Sequence, residues 1–212
     1  MTAGRPVVTG VILAGGKSRR MGGAPKALLP FGGKTIIGRV AERLTSVLPQ
    51  SLIVTNTPDL YAFLGLPVVP DVFPDHGSLG GIYSGLRAAS GDAVFTVACD
   101  MPFLNTGLIR AIVERAGEAD VVIPNAGGEL QTLHALYSKR CLDPMETLLR
   151  SERFKITAFF PEVKVVEITE EEVSRFQEPG LCFMNLNTPE EMERALQLLR
   201  KLDGTLDGTE EK

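Results

Sequence analysis

The chain of 212 residues contains no tryptophan, only two histidines and three cysteines, and no excess of positive charge. The last three of these shortages each remove a class of function. His76 and His134 stand alone and far apart, which leaves neither a histidine-built metal centre nor a catalytic triad. Cys99, Cys141 and Cys182 are odd in number, widely separated and without CxxC spacing, so they spell neither a disulfide framework nor a zinc site. A formal net charge of −4 supplies no global basic field, which argues against nucleic acid and for a small anionic ligand met by local cations. No apolar run is as long as a membrane span. Residues Met1 to Pro6 lead straight into an apolar, β-branched run instead of a cleavable signal, so the expected location is the cytoplasm, with no membrane partner.

What remains has the balance of a globular α/β chain, 44% hydrophobic and 23% charged. The length suits one domain over 1–202, followed by a polar, glycine-containing tail over 203–212 that is expected to be disordered. Apolar runs alternate with helical periodicity. Strands are expected at Val7–Leu13, "SLIVT", "LPVVPD", "DAVFTVACD" and "ADVVIP", with helices at "KTIIGRVAERLTSVL", "PDLYAFLG", "GSLGGIYSGLRAAS" and an Asn-capped "NTGLIRAIVERAG". This alternation predicts a mainly parallel sheet with helices on both faces. Further along, "GELQTLHALYS" is expected to add β-structure at the sheet edge, "CLDPMETLLRSERF" a helix, "VKVVEI" a strand and "LCFMNLNTP" a short strand ending in a turn. The helix of "PEEMERALQLLRKL" is expected to be capped by Thr188.

The densest motif is "VILAGGKSRRMGGAPK". Its Gly15, Gly16, Lys17 and Ser18 imitate the end of a P-loop, but that pattern needs a glycine where Val11 stands, and Gly10 is displaced by one residue. A P-loop GTPase is therefore a poor fit. A strand passing directly into glycines, followed by Lys17, Arg19, Arg20 and Lys26, instead points to a polyphosphate site of backbone amides and local cations. The bland alternative is a tight turn with a solvated basic face. Ligands of open α/β sheets sit at the carboxyl ends of the strands, and that rim would gather the glycine loop, Thr55 and Asn56, Asp71 and Asp100. Asp100 ends an apolar strand just before Pro102. A rigidly held carboxylate there can serve magnesium, which takes few protein ligands and fills its octahedron with phosphate oxygens and water; capping of the helix near Asn105 is the competing role. Asp71 is suited equally to a nucleotide's base or sugar and to its own turn amides. Gly77, Gly80 and Gly81 allow close backbone approach at a helix start, or mark an ordinary turn.

Four segments, "LAGGKSRRMGGAPKALLPFGGKT", "VACDMPFL", "LQTLHALY" and "NLNTPEEMERA", together resemble the molybdenum cofactor guanylyltransferases (MobA) of the nucleotidyltransferase superfamily, in order from about Val8 to Leu199. The resemblance implies a three-layer, Rossmann-like (glycosyltransferase-A-like) fold and transfer of GMP from GTP to molybdopterin, with pyrophosphate released. It implies magnesium as cofactor, GTP and Mo-molybdopterin as substrates, and molybdoenzyme apoproteins or cofactor-delivery proteins as partners. In this chain it sets the nucleotide on Leu13, Ala14 and Gly15 and uses Asp71, while Gly16, Asn56 and Gly80 are added as nucleotide-binding candidates by their places in the glycine loop and on the rim. The resemblance puts Lys26 on the phosphates, Asp100 on magnesium and GTP, and Asn185 and Asn187 towards the pterin; Arg19 and Arg20, as cations of the same loop, are expected to neutralise the reacting charge. One position departs from the pattern: Pro25 stands where such relatives commonly carry aspartate, and "PKALLPFGGKT" is similar to cytidylyltransferases acting on the same pterin. A CTP-dependent or sugar-phosphate nucleotidyltransferase and a non-catalytic nucleotide or cofactor carrier therefore stay open as alternatives.

Overall fold

In the computed structural model, residues 6–15 and 25–207 are described. Strand β1 (Val8–Leu13) is buried along its whole length, as its unbroken apolar run requires of a strand covered on both faces. A hairpin follows, β2 (Pro30–Phe31) and β3 (Lys34–Thr35), turning on Gly32 and Gly33 at φ of +56° and +77°, where side chains are disfavoured. Then come α1 (Ile36–Thr45), β4 (Ser51–Val54), β5 (Val68–Val69), α2 (Gly77–Ala88), β6 (Ala93–Ala98), α3 (Thr106–Glu114) and β7 (Val121–Ala126). The second half contributes β8 (Glu129–Leu130), β9 (His134–Ser138), α4 (Leu142–Arg150), β10 (Val165–Ile168), α5 (Glu170–Ser174), α6 (Pro179–Cys182) and α7 (Pro189–Asp207). Among the described residues no helix is long and apolar enough to cross a membrane.

The main sheet runs β10-β7-β9-β6-β1-β4-β5, with β8 paired to β7. β6, β1, β4 and β5 pair in parallel, as do β10 and β7, while β9 is antiparallel to both its neighbours. Alternate residues of β1 feed opposite cores. Ile12 packs with Ile37, Val40 and Leu44 of α1 and Leu108, Ile109 and Ile112 of α3; Val11 and Leu13 pack with Leu79, Ile82 and Leu86 of α2 and Met145, Leu148 and Leu149 of α4. Each such burial contributes on the order of 1.5–3 kcal/mol relative to exposure. Helix α2 lies close because it turns glycines to the sheet: a Cβ on Gly85 would stand 2.6 Å from Val11 Cγ1. A third, smaller core joins the hairpin to the C-terminal helix through Phe31, Ile36, Phe103, Leu186, Ala195 and Leu199.

Three local expectations are corrected. β9 is an interior strand and not an edge, and β10 takes the edge. His134, Ala135, Leu136 and Tyr137 are all buried, so the polar letter of His134 mimicked the alternation of a half-exposed strand. "PDLYAFLG" forms two 3-10 turns, Pro58–Leu60 and Ala62–Leu64, instead of one helix. "LCFMNLNTP" makes the end of α6 and an irregular turn, because the Leu186 amide bonds the Asp100 carbonyl instead of a strand partner. Helix α7 runs on to Asp207, and the remainder of the tail expected over 203–212 lies outside the described residues.

Candidate active site

Strand register assembles the rim. Leu13 lies opposite Val54 of β4 and Ala98 of β6, and Val54 lies opposite Val69 of β5. The residues leaving these strands therefore emerge at one level: the Ala14 amide bonds the Val54 carbonyl, Cys99 the Leu13 carbonyl and Thr55 the Val69 carbonyl. Asn56, Asp71, Asp100 and Gly15 follow directly. Gly15 is exposed, whereas the Leu13 side chain is buried under α2, so only backbone at Leu13 is suited to a ligand. Gly16, Arg19 and Arg20 lie outside the described residues.

On one side of β1, Lys26 and Asp100 meet. Pro25 opens a short 3-10 turn over Lys26–Leu28, closed by the Leu28 amide on the Pro25 carbonyl and Leu29 on Lys26. The turn delivers the Lys26 ammonium to 2.6 Å from Asp100 Oδ2 and 2.8 Å from Asn187 Oδ1. Both charged side chains are largely buried, 7% and 17% exposed. In such surroundings their attraction is strong, and removal of either leaves the other poorly compensated. Asn187 belongs to the turn before α7, where Thr188 Oγ1 accepts the Glu191 amide and the Glu191 carboxylate accepts the amides of Asn187 and Thr188. This is the reciprocal cap that Thr188 and Glu191 offer at their spacing. Asn185 is nearby in the same turn, and its side-chain amide donates to the Phe183 carbonyl at 3.3 Å.

On the other side, Asn56 and Asp71 form a second unit. The Asp71 amide donates to Asn56 Oδ1 at 2.9 Å, while Asp71 Oδ1 accepts from the Phe73 amide and from Ser84 Oγ at 3.0 and 2.9 Å. Gly80 lies beneath this loop. A Cβ there would sit 2.9 Å from the Phe73 carbonyl oxygen and 3.2 Å from Asp71 Oδ1, so its lack of a side chain makes room for the Asp71 loop. Sequence reasoning missed Ser84, whose one visible signal is a hydroxyl amid an otherwise apolar and glycine-rich stretch of α2. Burial first, and the neighbouring Asp100 charge second, push the Cys99 thiol up to about 12, which favours its protonated form at neutral pH.

Residues 10–163 match the family described as MobA-like NTP transferase domain. The chain belongs to the MobA-like NTP transferase family. It is 41% identical over 88% of its length, and 91% of the relative's, to the "Probable molybdenum cofactor guanylyltransferase" of Pelotomaculum thermopropionicum. It is 39% identical to the "Molybdenum cofactor guanylyltransferase" of Desulfosudis oleivorans, over 89% of this chain and 94% of that one. Among solved structures, molybdopterin-guanine dinucleotide biosynthesis protein A of Archaeoglobus fulgidus superposes with a TM-score of 0.80 at 26% identity, covering 91% of this chain and 99% of the other. The fold read from the sequence is thus that of MobA-like NTP transferases, and the chain is a nucleotidyltransferase.

Proposed function

We propose that this MobA-like chain transfers GMP from GTP to the terminal phosphate of molybdopterin, giving molybdopterin guanine dinucleotide and pyrophosphate. The observation that carries the reading is the buried Lys26 ammonium set against Asp100 at the carboxyl rim, beside the glycine exit of β1. The names of the relatives agree with it. In the proposed reaction an oxygen of the pterin phosphate forms a new bond to the α-phosphorus of GTP. The bond from that phosphorus to the β-phosphate oxygen breaks, and pyrophosphate leaves with the electron pair. The attacking oxygen is already anionic, so no general base is required. The obstacle is repulsion between anions.

Lys26 answers that obstacle by offering an ammonium that is already aimed at the rim. The amides after Leu13 add donors, with Gly16, Arg19 and Arg20 proposed beside them. Asn56 and Asp71 are proposed at the nucleoside, their loop fixed by Ser84, and Asn185 towards the pterin. The donor chemistry suits magnesium: Asp100 is a hard carboxylate held just past a strand end on the rim, and magnesium takes only one or two carboxylates from a protein. Asp100 would hold it, with phosphate oxygens and water completing the shell. When bound, the ion would neutralise charge on the triphosphate. Cytoplasmic location, and hand-over of the product to molybdoenzyme apoproteins or delivery proteins, belong to the same proposal.

CTP as donor is a second reading, favoured by Pro25, which begins the turn that carries Lys26. Pure protein supplied with Mo-molybdopterin, magnesium and either GTP or CTP separates the two. Pyrophosphate is expected with GTP and not with CTP; release with CTP alone would move the chain to the cytidylyl reaction, and release with neither would remove the transferase reading.

A further inference from the structure

The pterin assignment of Asn187 does not account for where its side chain is. Asn187 Oδ1 accepts a hydrogen bond from the Lys26 ammonium at 2.8 Å, across 161 positions of sequence. Its own backbone amide is held by Glu191 in the α7 cap. The residue before it, Leu186, is fully buried in the core that joins α7 to the hairpin, and its amide bonds the Asp100 carbonyl at 3.1 Å. The turn is thus bolted to the strand end that carries Asp100, and from it a single side-chain oxygen reaches Lys26.

We infer that Asn187 is a positioning residue for Lys26, so that it serves the nucleotide's phosphates through the lysine and is not a pterin contact. This rests on the proposed GTP reaction. A lysine has four rotatable side-chain bonds, and freezing them at the moment of binding costs affinity. Asn187 supplies a second fixed acceptor, so the ammonium does not fold wholly onto Asp100. When a phosphate replaces the Asp100 oxygen as its partner, the Asn187 oxygen keeps the ammonium at the rim. The α7 cap therefore has a reach beyond its own helix: it sets the Asn187 backbone, and Asn187 sets the lysine.

The test is a double-mutant cycle read as equilibrium affinity for GTP, with no pterin present. Wild type, Asn187→Ala, Lys26→Ala and the double variant are compared by calorimetry, with thermal midpoints recorded for each. Asn187→Ala is expected to weaken GTP binding about tenfold in the wild-type background, the scale of a lost hydrogen bond to a charged group. In the Lys26→Ala background the same change is expected to add less than about twofold, because the partner through which it acts is gone. Asn187→Ser, too short to reach Lys26, is expected to repeat the result and serves if the alanine variant folds poorly. Equal weakening in both backgrounds overturns the inference, as does unchanged GTP affinity with a raised KM for molybdopterin alone. Wild type that binds CTP in place of GTP leaves the cycle to be read with CTP, and wild type that binds neither overturns the functional reading beneath it.

Discussion

Lys26→Ala is expected to lower turnover with GTP by about 10²–10³-fold, the usual loss when one preorganised charge-stabilising donor is removed from an active site. The ammonium is held at 2.6 Å from Asp100 in a pocket that leaves it 7% exposed. There it is little screened by water and needs no reorganisation to meet a phosphate. The substitution leaves the largely buried Asp100 without its partner, so a lowered thermal midpoint is expected beside the lost activity. Lys26→Met, which keeps most of the buried stem, separates charge from packing: it should be as inactive as alanine with a thermal midpoint nearer wild type. Near wild-type kcat in either folded variant would remove Lys26 from the chemistry.

Acid is expected to destabilise the fold through His134 well before most carboxylates are protonated. The imidazole is fully buried, edge-on to the rings of Phe95 and Phe183, and neither ring nitrogen has a hydrogen-bond partner among the described residues. Burial alone lowers its pKa from 6.5 to about 3. The sign follows from that direction. Below pH 6.5 the unfolded chain takes up a proton that the folded chain refuses, so stability falls with pH down to about 3 and levels off beneath it. The slope approaches roughly 1.4 kcal/mol per pH unit, reaching on the order of 5 kcal/mol at the lower end. His134→Leu, of similar volume and without the unpartnered nitrogens, should remove this component while keeping activity at neutral pH. Denaturant unfolding of both proteins at intervals from pH 7 to 4 measures it, and parallel curves would show that His134 is not the source.

The parts of this molecule legible in its sequence are those where one local pattern decided the outcome. The apolar run of β1, the Asn105 cap of α3 and the Thr188 cap of α7 each carry their own physics, and each is present. The rim was legible too, because residues that follow parallel strands emerge together: Asn56, Asp71 and Asp100 all stand there. Illegible features depended on partners distant in sequence. Nothing local says that β9 inserts between β6 and β7, since burial on both faces hides the alternation that marks an edge. Nothing local joins Asn187 to Lys26 or Ser84 to Asp71; those contacts exist only after α7 and α2 have docked. Gly80 illustrates the same limit, its missing side chain leaving room for the Asp71 loop.

The most direct test of the central claim uses GTP carrying a radioactive label at its α-phosphorus, with Mo-molybdopterin and magnesium. Transfer of GMP predicts that the label moves into the pterin product in equal amount to the pyrophosphate released, and that GTP labelled at the γ-phosphorus sends its label only to pyrophosphate. Label that remains with free guanine nucleotides while pyrophosphate or phosphate accumulates would mean hydrolysis, and would contradict the account.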